Sequence, residues 1–299
     1  MAITTTYAGE FADKYLRASV LSAPSADNLT VVSGFGKDTI VFGKITDAFA
    51  LDNFSCTWVG GSTDLSEVTI PLIKLQVQRD ICKTDFEVWW ENQKLGASEH
   101  NMTFQAMTYS DALLAAMVDG ISSQIETQIW QGTGGADDNT FKGLITTLTA
   151  DATVVDVVGT TVTATNVIEE LGKVLAVIPD AVYEKRNEDL GIYAPIGVIK
   201  AYRSAMAALG YLNMYHDGEA PLNFEGVNLI EAPGMTANHM VAARKSNLFV
   251  GTSLKDDWNK VAIKDMEEVD LTENVRLSAK FKISCNHGIG ADCVLYTPA

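Results

Sequence analysis

The residues best suited to chemistry lie near the end of the chain, where Cys285-x-His287 is followed, past Gly288 and Gly290, by Cys293. A turn at those glycines would gather two thiols and an imidazole, three of the four ligands of a tetrahedral zinc. The spacing supplies no fourth ligand, so the pattern reads as buried thiols in a strand. His216-Asp217 has the make-up of a general-base pair, but adjacent residues seldom aim at one reacting atom. His100 and His239 stand in unrelated contexts. No serine sits in a G-x-S-x-G elbow, and Gly134-Gly135 lacks the lysine and the spacing of a phosphate loop. The expectation is a chain that is not an enzyme, with no catalytic residue, no cofactor and no metal.

Composition points the same way. With 299 residues and 47% apolar content the chain can bury a large core, about two domains' worth by length. Its 22 Lys and Arg against 38 Asp and Glu leave a net charge of −16 with no acidic tail, which disfavours phosphate binding by bulk charge. Cys56, Cys82, Cys285 and Cys293 form no C-x-x-C pair, and a chain of this size needs no staples, so reduced thiols in a cytosolic setting are expected. The opening MAITTTYAGEFADKYL has no basic patch leading into an apolar run. No stretch of about 18 uncharged apolar residues occurs, so neither export nor a membrane span is expected.

The stretch that would position everything else is TYSDALLAAMVDGISSQIETQIWQG, residues 108–132. Leu114, Met117, Val118, Ile121, Ile125, Ile129 and Trp130 recur at helical steps and form one stripe, with Asp111, Asp119, Ser122 and Glu126 on the other face. Thr108 and Asp111 read as a capping box and Gly132 as the stop, giving a spine roughly 34 Å long.

Before the spine, Tyr7, Phe11, Tyr15 and Leu16 share a helical face, and a Ser-, Ala- and Gly-rich run to Lys37 completes an arm. Its aromatics suit a neighbouring subunit better than a self-contained monomer. The runs 39–49 and 68–78 predict a long hairpin with its tip near Gly60, bearing Phe54 and Trp58, with Pro71 marking an edge. Such a hairpin is marginal alone in water and also calls for a partner surface. Residues 80–93 read as a short helix packed through Phe86, Trp89 and Trp90.

After the spine comes a glycine-rich loop ending in a strand, then a hairpin over 153–163 around Gly159. A helix capped by Asn166 carries Ile168, Leu171, Leu175 and Ile178, and the strand 190–194 leads to a helix over 196–209. This mixed section forms a second domain, with 210–224 as its longest irregular stretch. The last third predicts strands at 227–231, 240–243, 248–250, 261–264, 275–285 and 292–296. Between 264 and 275 the acidic run Asp265, Glu267, Glu268 and Asp270 forms a projecting connection.

The order of these parts resembles the major capsid proteins of tailed bacteriophages, the HK97-like fold. VTIPLIKLQVQRDIC, EAPGMTANHMVAARKSNLFVGTSL and ENVRLSAKFKISCNHGIGADCVLY carry the same texture. The resemblance implies an α+β fold with an N-terminal arm (1–37), a projecting β-hairpin or E-loop (38–75), a spine-helix P-domain (76–140 and 252–288) and a mixed α/β A-domain (141–251 and 289–299). The arm begins almost at Met1, which implies a separate scaffold protein or none. Some members cross-link through Lys and Asn; Lys44 and Asn53 lie in or near the hairpin, but nothing in the sequence shows that they react.

The implied function is a subunit that self-assembles through hexamers and pentamers into an icosahedral shell around double-stranded DNA, in a virion capsid assembled in the host cytoplasm. Portal, scaffold and decoration proteins are the implied partners, and an acidic wall avoids gripping the packaged DNA. The candidate inter-subunit contacts are Tyr7, Phe11, Tyr15, Phe54 and Trp58 in the arm and hairpin, and Tyr215, His216 and Asp217 where five or six subunits meet. To these are added Asp265, Glu267, Glu268 and Asp270 where three meet. An encapsulin-like compartment shares the implied fold, and a soluble hydrolase built on His216 and Asp217 is the reading from a different class.

Overall fold

The computed structural model of the chain describes residues 4–8, 23–33, 38–46, 64–82, 109–134, 140–209, 222–252, 260–266, 269, 271–272 and 274–299. In order these form β1 (Thr4–Ala8), α1 (Pro24–Asp27), β2 (Thr30–Ser33), β3 (Thr39–Thr46), β4 (Asp64–Pro71), β5 (Ile73–Cys82), α2 (Tyr109–Gln131) and α3 (Leu144–Ala150). There follow β6 (Val155–Gly159), α4 (Val167–Ala176), α5 (Asp180–Tyr183), β7 (Leu190–Ala194), α6 (Ile196–Ala208), β8 (Asn223–Phe224), β9 (Val227–Glu231) and β10 (Met240–Arg244). β11 (Leu248–Thr252), β12 (Lys260–Asp265), β13 (Asn274–His287) and β14 (Val294–Pro298) complete the chain.

β13 is the axis of the first sheet, whose order is β1-β12-β13-β11-β2 with β5 also on β13. Ile283 pairs with Ile73 of β5 and with Thr252 of β11, so those two strands lie on opposite edges. β12 then continues the line of β11, from Lys280 to Val275. The alternation read from the sequence holds: Val275, Leu277, Ala279, Phe281, Ile283 and Cys285 are buried in one cluster with Met117, Ile121, Ile125 and Ile129 of α2.

The spine departs from expectation at Glu126. Expected on the solvent face, this residue is 5% exposed. Its Oε1 accepts from Ser25 Oγ at 2.5 Å and from Gly234 N at 3.2 Å, and its Oε2 from Ser25 N at 3.1 Å. Trp130 Nε1, one turn along, donates to the same Ser25 Oγ at 2.7 Å. A buried carboxylate is tolerated when donors surround it, and these donors come from elements far apart in sequence. Gly234 permits the contact, because a Cβ there would stand 2.2 Å from Glu126 O.

The second sheet has the order β6-β14-β10-β7-β9-β8, and its central strands β14, β10 and β7 are buried on both faces. Tyr193, Val241, Ala243 and Leu295 join the spine's cluster, whereas Ile192, Ala194, Met240, Ala242, Val294 and Tyr296 face a second core with α4 and α6. Double burial explains why these strands read as continuous apolar runs.

Several expectations are corrected. Thr4–Ala8 is a strand in register with β12, Tyr7 opposite Val261, so Tyr7 is not on a helical face. Val155–Gly159 pairs in parallel with β14 instead of forming a hairpin. Gly159 serves close approach, not a turn: a Cβ there would lie 2.2 Å from Tyr296 Oη. Asp80–Cys82 belong to β5, not to a helix, because β13 continues beside them to Asn274. Leu144–Ala150 is a helix where no helix was read, burying Leu144 and Leu148 one turn apart. Asn166 makes no side-chain cap bond; its Oδ1 accepts from Thr163 N instead. Ile168, counted on the buried face of that helix, is 38% exposed, and Glu170 takes the buried place.

Removing the Glu126 carboxylate orphans Ser25 N and Gly234 N in a dry site. Glu126→Ala should therefore lower unfolding stability by about 3 kcal/mol. Chemical denaturation measures it, and a loss under about 1 kcal/mol would show that water replaces the carboxylate.

Candidate inter-subunit surfaces

β3 and β4 form an antiparallel pair, Thr39 opposite Pro71 through Thr46 opposite Asp64. The returning strand is thus 64–71 and not the expected 68–78, because from Ile73 onward the chain pairs with β13. The expected tip near Gly60 lies outside the described residues. The base of this pair is fastened to the first sheet. Phe42 stacks on Phe249 with centroids 4.7 Å apart, Leu72 N donates to Asp38 O at 2.8 Å, and Asn286 Nδ2 donates to Thr69 O at 3.0 Å. Gly251 leaves room for this, since Ile40 Cδ1 and Leu72 Cδ2 would each lie 3.0 Å from a Cβ there. Asp38 also reaches Lys282 Nζ at 2.8 Å, and Lys282 is only 2% exposed. Away from the base, Val41 is 51% and Leu65 76% exposed. Two-stranded pairing leaves apolar side chains in water when nothing covers them. Phe54, Trp58 and Asn53 lie outside the described residues.

Tyr7 is placed on the outermost strand of the first sheet, and Phe11 and Tyr15 lie outside the described residues. Tyr215, His216 and Asp217 are likewise outside them, between α6 and β8. Asp265 ends β12 opposite Val275, as the turn reading required, while Glu267, Glu268 and Asp270 lie outside the described residues. Met266 N donates to Asn274 O and Val269 N to Met266 O, each at 2.9 Å, closing the connection. Val269 is 55% and Leu271 89% exposed, and Leu271 has φ 58°, a strained value for a leucine.

The thiol and imidazole groups do not converge. Cys285 Sγ donates to Lys142 O at 3.0 Å, and Cys293 Sγ accepts from Asn247 Nδ2 at 3.2 Å. Burial holds the Cys285 thiol far above the ordinary range and pushes Cys293 up to about 12, so both stay protonated and poor as ligands or nucleophiles. His287 Nε2 lies 2.9 Å from Asp151 Oδ2 instead. Among the described residues no three His, Cys, Asp or Glu side chains gather in a metal-sized group. A cleft of about 530 Å³ beside Pro71, Lys142, Asp151 and Asn286 contains Cys285 as its one thiol, held protonated. Among the described residues no helix is long and apolar enough to cross a membrane.

No family model and no curated protein matches the sequence. Solved structures do match the fold. The capsid of an empty GTA particle superposes with a TM-score of 0.61 at 12% identity, over 93% of this chain and 90% of that one. The chain has the fold of a phage capsid protein. The procapsid of satellite phage P4 matches with 0.58 at 11% identity over 95% and 97% of the two chains. The capsid of Myoviridae phage XM1 matches with 0.56 at 12% identity over 91% and 90%. A shared fold at such identities survives because it depends on burial pattern and pairing, which many sequences satisfy.

The Asp151–His287 pair gives this capsid fold an acid limit. The His287 bond, then Thr153 N, holds Asp151 down to about 2 from 3.8, against the opposing effect of burial. A depressed folded pKa stabilises above the unfolded value and is lost as pH falls through the folded one. Melting temperature should thus fall between about pH 4 and pH 2, and Asp151→Asn should flatten that part of the profile. An unchanged profile in the variant would remove this pair from the acid response.

Proposed function

We propose that the chain is the major capsid protein of a tailed phage, a structural subunit of an icosahedral shell enclosing double-stranded DNA. One observation carries this: capsid proteins match the fold over nine-tenths or more of this chain and of theirs. In this reading the fold follows the HK97-like plan, with arm 1–37, E-loop 38–75, P-domain 76–140 and 252–288, and A-domain 141–251 and 289–299. The hairpin and the arm act as straps that bury Val41, Leu65, Phe54, Trp58, Tyr7, Phe11 and Tyr15 on neighbouring subunits. Tyr215, His216 and Asp217 sit around the axes of hexamers and pentamers, and the 265–270 connection sits where three subunits approach. Assembly takes place in the host cytoplasm with portal, scaffold and decoration proteins, and the subunit performs no catalysis. The net charge of −16 suits a wall that does not hold its DNA. Negative-stain microscopy of the expressed chain tests the shell, with shells, tubes or capsomers expected and nothing above a dimer sinking it.

The outermost place of β1 refines the role of the arm. Its removal costs the sheet an edge strand and leaves β13, β11 and β5 paired. Deleting residues 1–20 should leave circular dichroism native in form while stable assemblies disappear from sedimentation profiles. A deletion that unfolds the isolated subunit would place the arm in the subunit's own core.

A further inference from the structure

At the hairpin base the ladder between β5 and β13 stops beside a cleft. Its last pair is Ile283 with Ile73, and Pro71, next in line, has no N–H to offer. The N–H of Leu72 is already given to Asp38 O at 2.8 Å. On the opposite edge of β13, Gly288 N donates to Asn247 O, in register with the β11 pairs. Hydrogen-bonded pairs alternate along an antiparallel ladder, so the N–H and C=O of Cys285 point away from β11, to the edge that β5 no longer covers. The cleft of about 530 Å³ lies there, walled by Pro71, Ile73, Ala150 and Ala152, and its size is that of a ligand pocket.

Most polar side chains lining the cleft are satisfied within the chain. Asn286 donates to Thr69 O and accepts from His287 N, and Thr147 donates to Leu144 O. Asp151 accepts from Thr153 and meets His287, while the Cys285 thiol donates to Lys142 O. Two side chains are left over. Ser284 is 3% exposed, yet its hydroxyl has no hydrogen-bond partner among the described residues. Lys142, exposed at the rim, forms no ion pair among them. With Pro71 opposite, the Cys285 carbonyl receives no ladder N–H either. Buried polar groups are ordinarily paired, so a hydroxyl and a carbonyl left open on one cavity mark it as a seat for a ligand.

We propose that this cleft binds the C-terminal residue of another polypeptide, its carboxylate held by Lys142 and Ser284 and its N–H by the Cys285 carbonyl. A C-terminal residue carries an N–H and a carboxylate on one Cα. Ser284 and Cys285 are adjacent, so the hydroxyl and the carbonyl lie within one residue's reach of each other. Bonds from an ammonium to a carboxylate are charge-assisted and stronger than those to a neutral amide, so a free terminus is preferred over a blocked one. The apolar wall suits a small aliphatic side chain. Inorganic phosphate is the poorer occupant: it has no N–H for the carbonyl, and a chain of net charge −16 disfavours it. The chain's own C-terminus is excluded, because Ala299 N already donates to Gly159 O and Pro298 is paired with β6.

The test uses the full chain, kept dilute so that no particles form, and the peptide acetyl-Ala-Ala-Val as probe in a saturation-transfer NMR titration. The free acid should bind saturably, and its C-terminal amide about tenfold more weakly. Methylating the nitrogen of the probe's terminal valine removes the N–H for Cys285 and should weaken binding by about fivefold. Both probe changes act on the wild-type chain and bypass any folding defect of a variant. Lys142→Ala should weaken the free acid about tenfold and Ser284→Ala about threefold, with circular dichroism unchanged. Ala150→Trp, at an exposed position of α3, should fill the cleft and abolish binding. A free acid that fails to saturate by about 10 mM overturns the proposal. So does one that binds no better than its amide, or that binds all three variants like wild type. Inorganic phosphate that displaces the probe and loses affinity in Lys142→Ala assigns the cleft to phosphate and also overturns it.

Discussion

One buried carboxylate holds the molecule's parts in register. Glu126 sits in the last third of the spine helix, and its three donors come from Ser25 near the arm and Gly234 in the turn between β9 and β10. Trp130 adds a bond to Ser25 and lies 5.5 Å from the ring of Tyr193, whose hydroxyl donates to Asn28 O at 2.7 Å. Spine helix, second sheet and N-terminal segment therefore meet at one desolvated polar cluster. Every polar atom in such a place must find its partner, and this geometry satisfies them together. A shift of the helix by one turn would strand all of them at once, so the cluster fixes register where apolar packing alone tolerates sliding.

Around that joint the structure divides labour between its two faces. The inner face of β13 packs on α2 and supplies rigidity. The outer face carries cations and receives the hairpin base, with Lys282 buried between sheet and hairpin and answered by Asp38. A buried lysine without that carboxylate would be costly, so the pair specifies where the hairpin leaves the sheet more than it adds stability. The exposed apolar residues Leu65, Val269 and Leu271 lie on the projections of this fold, the hairpin and the connection between β12 and β13. Edge strands and hairpins left in water invite pairing.

Asp189 shows the same economy in the second unit. It binds Arg244 Nε at 2.8 Å and Ser246 Oγ at 2.5 Å, tying the start of β7 to the turn after β10. Burial opposes its charge, but the Arg244 and Ser246 bonds outweigh this and hold its carboxyl below the ordinary value. Glu170 is held in the same direction: burial opposes, and bonds from Lys173, Tyr296 and Thr160 prevail. Each of these carboxylates fastens a connection that packing alone would leave loose.

Much of the architecture was legible in local pattern. The spine, the strands 190–194 and 227–231 and the alternation of 275–285 follow from period and turn chemistry, because one face of each element needs burial. Partners distant in the chain were not legible. Glu126 reads as solvent-facing until Ser25 and Gly234 arrive, and Gly159 reads as a turn until Tyr296 occupies the space of its missing side chain. Tyr7 reads as part of a helical face because the partner of its strand, β12, is supplied by a segment near the other end of the chain. The cations on the outer face of the first sheet were equally hidden: Lys74, Lys264, Arg276 and Lys282 are scattered in sequence and become neighbours only through strand register. Sequence determines which faces must be buried, and tertiary structure decides which buried or charged groups find each other, since pairing over long separations leaves no local period to read.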